Sequence, residues 1–307
     1  MPKFVIAHLS DVHLGPLEGF TPPHWNLKRL AGWINWQRNR WDIHLTSVAD
    51  QLVADLKQQQ PDHIAVGGDL VNIGLSAEYV RAQAWMEALG SPTQVSLVPG
   101  NHDIYTTLPR GEPGIERWRP YMATEAIVPG AVNGFPYVRR FGEVALIGLN
   151  SAVPTPPAIA TGRLGEAQIE AAAALLRQLA YEDVFRLVMI HHPPLPGQAM
   201  GGRELLDASA FSAMLATAGA ELVVHGHNHR TMQTAHKLHG RMAPDTASVP
   251  VIGVASASVA KPHKSDDLAR YHLFTIERRD SSWRIEMTSR GLATPGGAVV
   301  ELARQIL

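Results

Sequence analysis

Five short apolar runs in this chain each end in a cluster of Asp, Asn or His, and that repetition limits the fold more than any other feature. Phe4 to Leu9 leads into Ser10-Asp11-Val12-His13, His63 to Val66 into Gly67-Gly68-Asp69, and Val95 to Val98 into Pro99-Gly100-Asn101-His102-Asp103. Leu187 to Ile190 then leads into His191-His192-Pro193, and Leu222 to Val224 into His225-Gly226-His227-Asn228-His229. Short β-branched runs closed by Gly or Pro read as buried strands. Open α/β sheets place their chemistry in loops just past strand carboxyl ends, and core packing gives no reason for these polar residues to recur there.

Helical spacing fills the gaps. Val48, Leu52 and Leu56 predict a helix over Thr46 to Gln60, capped at Thr46 or Ser47 and stopped by Pro61; Ser76 to Leu89 is a second, closed by Gly90. The order is then βαβαβ, the grammar of a layered α/β sheet. Residues 110–134 read as loop with a short helix near Ile115 to Met122. Tyr137 to Phe141 and Glu143 to Leu149 read as strands paired at Gly142, and residues 153–165 as a Pro/Gly surface loop. Helices follow over Glu166 to Ala180 and Asp207 to Ala218, then strands over Val249 to Ala255, Tyr271 to Glu277 and Trp283 to Thr288. A second sheet built from 137–149 and 249–290 is expected to pack on the first, giving one domain over residues 1–307.

Residues 15–45 interrupt this pattern. Pro16, Pro22 and Pro23 break the chain, and His24 to Trp41 is rich in Trp and cations. On a helical wheel Leu27, Leu30, Trp33, Ile34 and Trp41 share one stripe, Lys28, Asn35 and Asn39 lie opposite, and Trp36 falls off it. Three readings stay open for this insertion: a helix docked on its own domain by the stripe, a cap shaping a cleft beside Asp11 and His13, or a contact with a membrane surface or a second copy through residues 25–41.

Composition removes other classes. The formal net charge is −1 with no long basic run, so nucleic-acid binding gets no general support. With no cysteine there are no disulfides, thiolate zinc sites or iron–sulfur clusters. No window approaches a membrane span, and the apolar stretch before Ser10 is too short for a signal-peptide core, so a cytoplasmic setting is expected. Of 15 histidines most lie outside the motifs; His8, His24, His44, His63, His236, His239 and His263 are expected at surface or packing positions, and His225 in strand packing.

Asp-x-His, Gly-Asp, Gly-Asn-His-Asp, a later His and Gly-His-x-His, in this order from Asp11 to His229, resemble the calcineurin-like metallophosphoesterases. The resemblance implies a four-layer αββα sandwich of two mixed sheets flanked by helices, with a dinuclear metal site at the carboxyl edge of the strands. It also implies the ligands: Asp69 shared between two cations, with Asp11, His13 and His229 at one and Asn101, His191 and His227 at the other. His191 rather than His192 matches the ligand position two before the Pro; His192 is left as support or substrate contact. Carboxylate and imidazole donors suit manganese, iron or zinc. Two divalent ions, less Asp11, Asp69 and a bridging hydroxide, leave about +1 facing the substrate. That hydroxide is expected to attack phosphorus in line with the leaving oxygen. The resemblance gives His102 a phosphate-facing role, as leaving-group acid or charge stabiliser, with Asp103 orienting its ring. Asn72 and Arg203 are read either as substrate contacts or as solvated loop residues.

Gly-Asn-His-Asp with His-His-Pro-Pro and Gly-His-Asn-His is similar to the branch holding cyclic-nucleotide and glycerophosphodiester phosphodiesterases. The expectation is therefore a phosphodiesterase acting on a small phosphate ester. The alternatives are a phosphomonoesterase, a lipid-linked phosphate or pyrophosphate hydrolase at a membrane surface, a nuclease, and a non-catalytic scaffold; a homo-oligomer stays open.

Overall fold

The computed structural model describes residues 3–21, 26–108, 111–123, 127–238, 248–280 and 282–307. Pro22, Pro23, His24 and His239 from the sequence reading lie outside them. Strand β1 (Phe4–Leu9) is followed by helices α1 (Leu27–Asn35) and α2 (Thr46–Gln58), strand β2 (His63–Val66), helix α3 (Ser76–Leu89) and strand β3 (Val95–Leu97). A 3-10 helix (Gly114–Met122) leads to β4 (Tyr137–Phe141), β5 (Val144–Gly148), α4 (Glu166–Tyr181), β6 (Phe185–Met189), α5 (Ala208–Ala218) and β7 (Leu222–His225). The chain closes with β8 (Met232–Lys237), β9 (Ser248–Gly253), β10 (Arg270–Arg279), β11 (Ser282–Leu292) and β12 (Val299–Ile306).

These strands make two six-stranded mixed sheets, ordered β12-β11-β10-β1-β2-β3 and β4-β5-β6-β7-β9-β8. Alternation along the strands shows the layering. Phe185, Leu187 and Met189 of β6 join the core shared with β1 to β3. The intervening Val188, with Ile190 just past the strand, packs with Leu176 of α4 and Phe211 and Leu215 of α5. A period of two therefore feeds two cores, the inter-sheet layer and a sheet–helix layer.

The expected division of strands between sheets is corrected. The five motif strands do not share one sheet: β1, β2 and β3 lie in the first, β6 and β7 in the second. The hairpin β10–β11, expected beside residues 137–149, instead pairs with β1, in register Phe4 with Ile276 through His8 with His272. Periodicity fixes which face of a strand is buried, and says nothing of its neighbour. Within each sheet the motif strands are in step, with Leu9 opposite Val66, Val66 opposite Leu97 and Met189 opposite Val224. Their carboxyl ends are therefore level. The two edges are joined by a parallel bridge between Ser10 and Ser256 and by Ala257 N–H donating to Ser10 O at 2.9 Å.

The insertion docks on a face only partly the one its apolar stripe predicts: Trp33 of the stripe packs inward, while Asn35 and Asn39 opposite it stay exposed. Lys28, Arg29 and Trp36 are buried, whereas Leu27 is 74% and Trp41 55% exposed. The receiving surface is polar where Lys28 and Arg29 meet it, which is why these cations turn inward. Arg29 donates to Ile73 O and Gly74 O, and Lys28 donates to Thr155 Oγ1 at 2.8 Å and lies over the Tyr105 ring. Trp36 packs with Leu17, Ile73 and Leu75. Thr46, expected as a cap of α2, exchanges hydrogen bonds with Gly15 instead, tying down the start of the insertion.

Candidate metal centre

The five loops meet where the two sheet edges join. Asp11, His13 and His229 bring one donor atom each into a single group, and Asp69, His191 and His227 form a second. Asp69 lies between them: its Oδ2 is 3.4 Å from His191 Nε2 and 3.8 Å from His13 Nε2. Asn101 Oδ1 is 3.3 Å from His191 Nε2, on the second group's side.

The backbone reaches this arrangement under strain. Asp11, His13, Asp69, His227 and His229 all have positive φ, between 46° and 70°. Such residues are uncommon outside glycine and cluster at functional sites, because only the surrounding structure can hold them there. The loops also approach too closely for side chains at two motif glycines: a Cβ at Gly100 would overlap the Asp69 carboxylate, and one at Gly226 would overlap Ser10 and Asp11. The glycines of Gly-Asn-His-Asp and Gly-His-x-His are thus steric requirements of the cluster.

The imidazoles are aimed from behind. His191 Nδ1 is 2.7 Å from Gly67 O, and His13 Nδ1 is 3.3 Å from Val71 O. A carbonyl only accepts, so each Nδ1 carries the proton and each Nε2 lone pair faces the cluster. The inward nitrogens then face one another: His13 Nε2 is 3.2 Å from His229 Nε2, and His227 Nδ1 is 3.2 Å from His191 Nε2. His227 Nε2 is buried with no hydrogen-bond partner. Two buried carboxylates and converging imidazole lone pairs, with no Lys or Arg ion-paired to either carboxylate among the described residues, fit a pair of cations.

The charges say the same. Burial pushes the Asp11 carboxyl up, but the hydrogen bond and charge of His229, with His191 behind, pull it far below the ordinary carboxylate range. Burial works against a charged His191, yet Asp69 raises it to about 10; His229 is likewise raised to about 9 by Asp11 and Asp266. The cluster thus neutralises its carboxylates with protons at nitrogens where metal would bind, and metal binding releases such protons.

The remaining predicted residues fall in different places. His102 sits at the partly exposed mouth, its Nδ1 2.5 Å from Asn72 O and its ring stacked on Tyr105. Asp103 does not orient that ring, contrary to expectation. Its carboxylate accepts backbone N–H groups from Asp69, Leu70, Val71 and Gly100 at 2.8 to 3.2 Å. The left-handed turn at Asp69 points three successive N–H groups inward, and Asp103 is the anion that satisfies them. The Asn72 side chain is buried and donates to Leu14 O, so Asn72 serves His102 through its carbonyl. Arg203 is exposed, and no contact links it to the cluster. His192 is buried, held by Ser151 Oγ at 2.7 Å and Ala160 O at 3.2 Å, which makes it a support behind His191 and His227.

Three residues here escaped the sequence reading. Arg40 reaches in from the insertion, with Nη1 3.5 Å from His102 Nε2 and Nη2 3.3 Å from His44 Nε2. His44, expected at a surface or packing position, is 4% exposed and lies edge-on to His13 and His229. Asp266 Oδ2 is 3.4 Å from His229 Nδ1. No motif marks them; Asp266 stands in a Lys-Ser-Asp-Asp run that reads as a surface turn, and Arg40 is one of several insertion cations.

Comparison with known proteins identifies the family. The calcineurin-like phosphoesterase profile matches residues 4–231, and the chain belongs to that family. It is 29% identical over 188 residues to a Synechococcus protein named a probable cyclic nucleotide phosphodiesterase, covering 60% of this chain and 64% of that one, just under two thirds of its length. It is 26% identical over 248 residues to a glycerophosphodiester phosphodiesterase of Enterobacter lignolyticus, covering 76% and 73%. Its fold is similar to that of a dimetal phosphatase from Danio rerio, with a TM-score of 0.63, 15% identity and 98% of both chains covered.

Proposed function

We propose that this chain is a dinuclear metal-dependent hydrolase of small phosphate esters, acting on phosphodiesters in preference to monoesters. One observation carries the hydrolase reading. Five loops from two sheets, three of them with left-handed donor residues, bring seven residues with nitrogen or oxygen donors together, Asp69 between the two groups. Asp11, His13, His229 and Asp69 would hold one cation, and Asn101, His191, His227 and Asp69 the other, with manganese, iron or zinc as candidates. When bound, such ions supply a hydroxide nucleophile at neutral pH and draw charge from the phosphoryl oxygens.

The chain's own residues do the rest. Asp103 clamps the Asp69 turn, Gly67 O and Val71 O set the tautomers of His191 and His13, and Asp266 orients His229. His102 Nδ1–H donates to Asn72 O while its Nε2 accepts from Arg40, so the ring is held as a neutral tautomer facing the mouth. In that state the ring has no free N–H, so Nε2 must exchange Arg40 for a proton before His102 can donate to a phosphoryl or leaving-group oxygen. The diester preference draws support from the two phosphodiesterase relatives. Turnover of bis(4-nitrophenyl) phosphate against 4-nitrophenyl phosphate by metal-loaded protein tests both parts. Preferred turnover of the monoester would overturn the diester reading, and turnover of neither the hydrolase.

A second reading, action at a membrane surface on a lipid-linked phosphate, is favoured by the outward face of the insertion. Leu27, Leu30, Ile34 and Trp41 of the insertion are all exposed. Flotation with anionic liposomes tests it: co-flotation lost on Leu27→Ser/Trp41→Ser supports it, and no lipid binding by wild type removes it. Among the described residues no helix is long and apolar enough to cross a membrane.

A further inference from the structure

We propose that Arg40 is a substrate-binding residue whose guanidinium takes a phosphoryl oxygen of the ester directly, an inference that rests on the hydrolase reading above. The sequence offers Arg40 as one of several cations in the insertion, and the structure separates it from the others. Lys28 and Arg29 are satisfied by Thr155 Oγ1 and by the carbonyls of Ile73 and Gly74. Arg38 is exposed. Arg40 alone of these reaches the cluster, where its guanidinium touches His102 and His44, each of which lies edge-on to His13.

Its partners are the wrong kind for a cation at rest. Among the described residues no carboxylate lies within ion-pair distance of Arg40, and its hydrogen bonds go to two neutral imidazoles. A guanidinium has five N–H donors, of which these contacts use two. Burial works against its charge, and Asp69, Asp266 and Asp11 support it only through space. With cations bound beside those carboxylates, that support would be screened. A desolvated guanidinium with spare donors is the complement of an anion, and its planar fork matches phosphate oxygens.

The position is also fixed before any ligand arrives. Arg40 ends a π-helical turn (Trp36–Arg40) whose wide hydrogen bond runs from Trp41 N–H to Trp36 O at 3.1 Å; such turns are frequent at functional sites. Trp36 anchors one end in the Leu17, Ile73 and Leu75 cluster. At the other end Leu45 N–H donates to Ser258 O and Ala260 N–H to Ile43 O, and Asp42 pairs with Lys261. The guanidinium is thus held beside the partly exposed His102, whose ring lies edge-on to His13.

The competing role is structural, with Arg40 only fixing the His44 and His102 rings. The experiment uses metal-loaded full chain as wild type, Arg40→Ala, Arg40→Lys and the exposed control Arg38→Ala. It reads the calorimetric Kd of inorganic phosphate, KM and kcat for bis(4-nitrophenyl) phosphate, metal per chain and Tm. Arg40→Ala should weaken phosphate binding and raise KM by about 10- to 100-fold, the worth of a charge-assisted hydrogen bond, with metal content kept. Arg40→Lys should recover part of the loss, and Arg38→Ala should match wild type. Unchanged phosphate affinity in an Arg40→Ala protein that keeps its metal overturns the proposal, whatever happens to kcat. Should that variant lose metal or fold, Arg40→Lys decides by the same reading. Phosphate bound through Arg40 with neither ester turned over sinks the hydrolase alone; a wild type that binds no phosphate sinks Arg40's role.

Discussion

Asp69 and Asp55 are both carboxylates tucked against the same sheet, and the structure treats them oppositely. Asp55, partly exposed on α2, accepts both arms of Arg290 at 2.8 Å and the Tyr271 hydroxyl at 2.6 Å. Asp69, 2% exposed, has one backbone N–H, from His102 at 2.7 Å, and imidazoles around its other oxygen. The more deeply buried charge has the poorer set of protein partners. Selection for stability alone runs the other way, since a buried charge costs several kcal/mol unless paired and hydrogen-bonded. Here the structural carboxylate has an arginine for its partner, and the ligand carboxylate has imidazoles in the arginine's place.

The sharpest break of that contrast is Asp69→Asn, which keeps an oxygen for the His102 N–H and removes the charge. Activity should fall by more than about 100-fold, beyond what loss of an outer partner costs a metal site. The metal-free variant should melt close to metal-free wild type, because His191, held protonated by Asp69, returns to its neutral form when the carboxylate goes, and replacing a buried pair as a unit costs little. Added metal should raise the wild-type Tm, by mass action worth about 2.7 kcal/mol at a hundredfold excess over Kd, and raise the variant's far less. A clearly lower Tm for the metal-free variant would mean that Asp69 is structural after all.

Asp266→Asn probes one step further out. Asp266 holds His229 from behind, and loss of such an outer partner typically lowers metal affinity or activity by about 10- to 100-fold. Metal titration should show the loss, with the fold intact by circular dichroism. Unchanged affinity would reduce the Asp266–His229 contact to a surface pair.

The same distinction explains what the sequence made legible. The motif loops could be read because ligand chemistry needs particular residue types at particular strand ends, and a residue such as Asn101 or His227 has no substitute for that purpose. Helices α2 and α3 could be read because their apolar spacing meets an apolar sheet. Strands β8 and β12 could not: MQTAHK and VVELARQI are mostly exposed, so neither carries the alternation of a half-buried strand. The insertion misled for a physical reason. Its periodicity is real, but under the first turn of α1 the receiving surface is lined with carbonyls, a hydroxyl and a tyrosine ring, and those select Lys28 and Arg29 over Leu27 and Leu30, while Trp33 and Trp36 meet the apolar part. A hydrophobic stripe predicts the docked face only when the dock is apolar. Arg40 and Asp266 are illegible for a further reason: their importance comes from neighbours far away in sequence.

Asp55 gives the smallest effect and closes the comparison from its satisfied side. Burial pushes its carboxyl up, while the Arg290 and Tyr271 hydrogen bonds pull it down further, so its pKa lies below the ordinary carboxylate value. A group depressed on folding stabilises above its unfolded pKa, and that contribution is lost as pH falls through the folded one. Asp55→Asn should therefore cost about 1 kcal/mol near pH 7, the upper end for a bidentate pair that is not fully buried. The two proteins should converge in Tm as acid protonates Asp55 below the carboxylate range. Metal binding and turnover should not change. A gap in Tm that stayed constant into acid would show that Asp55 acts through shape and not charge, and would remove the ion pair as the standard against which Asp69 is judged.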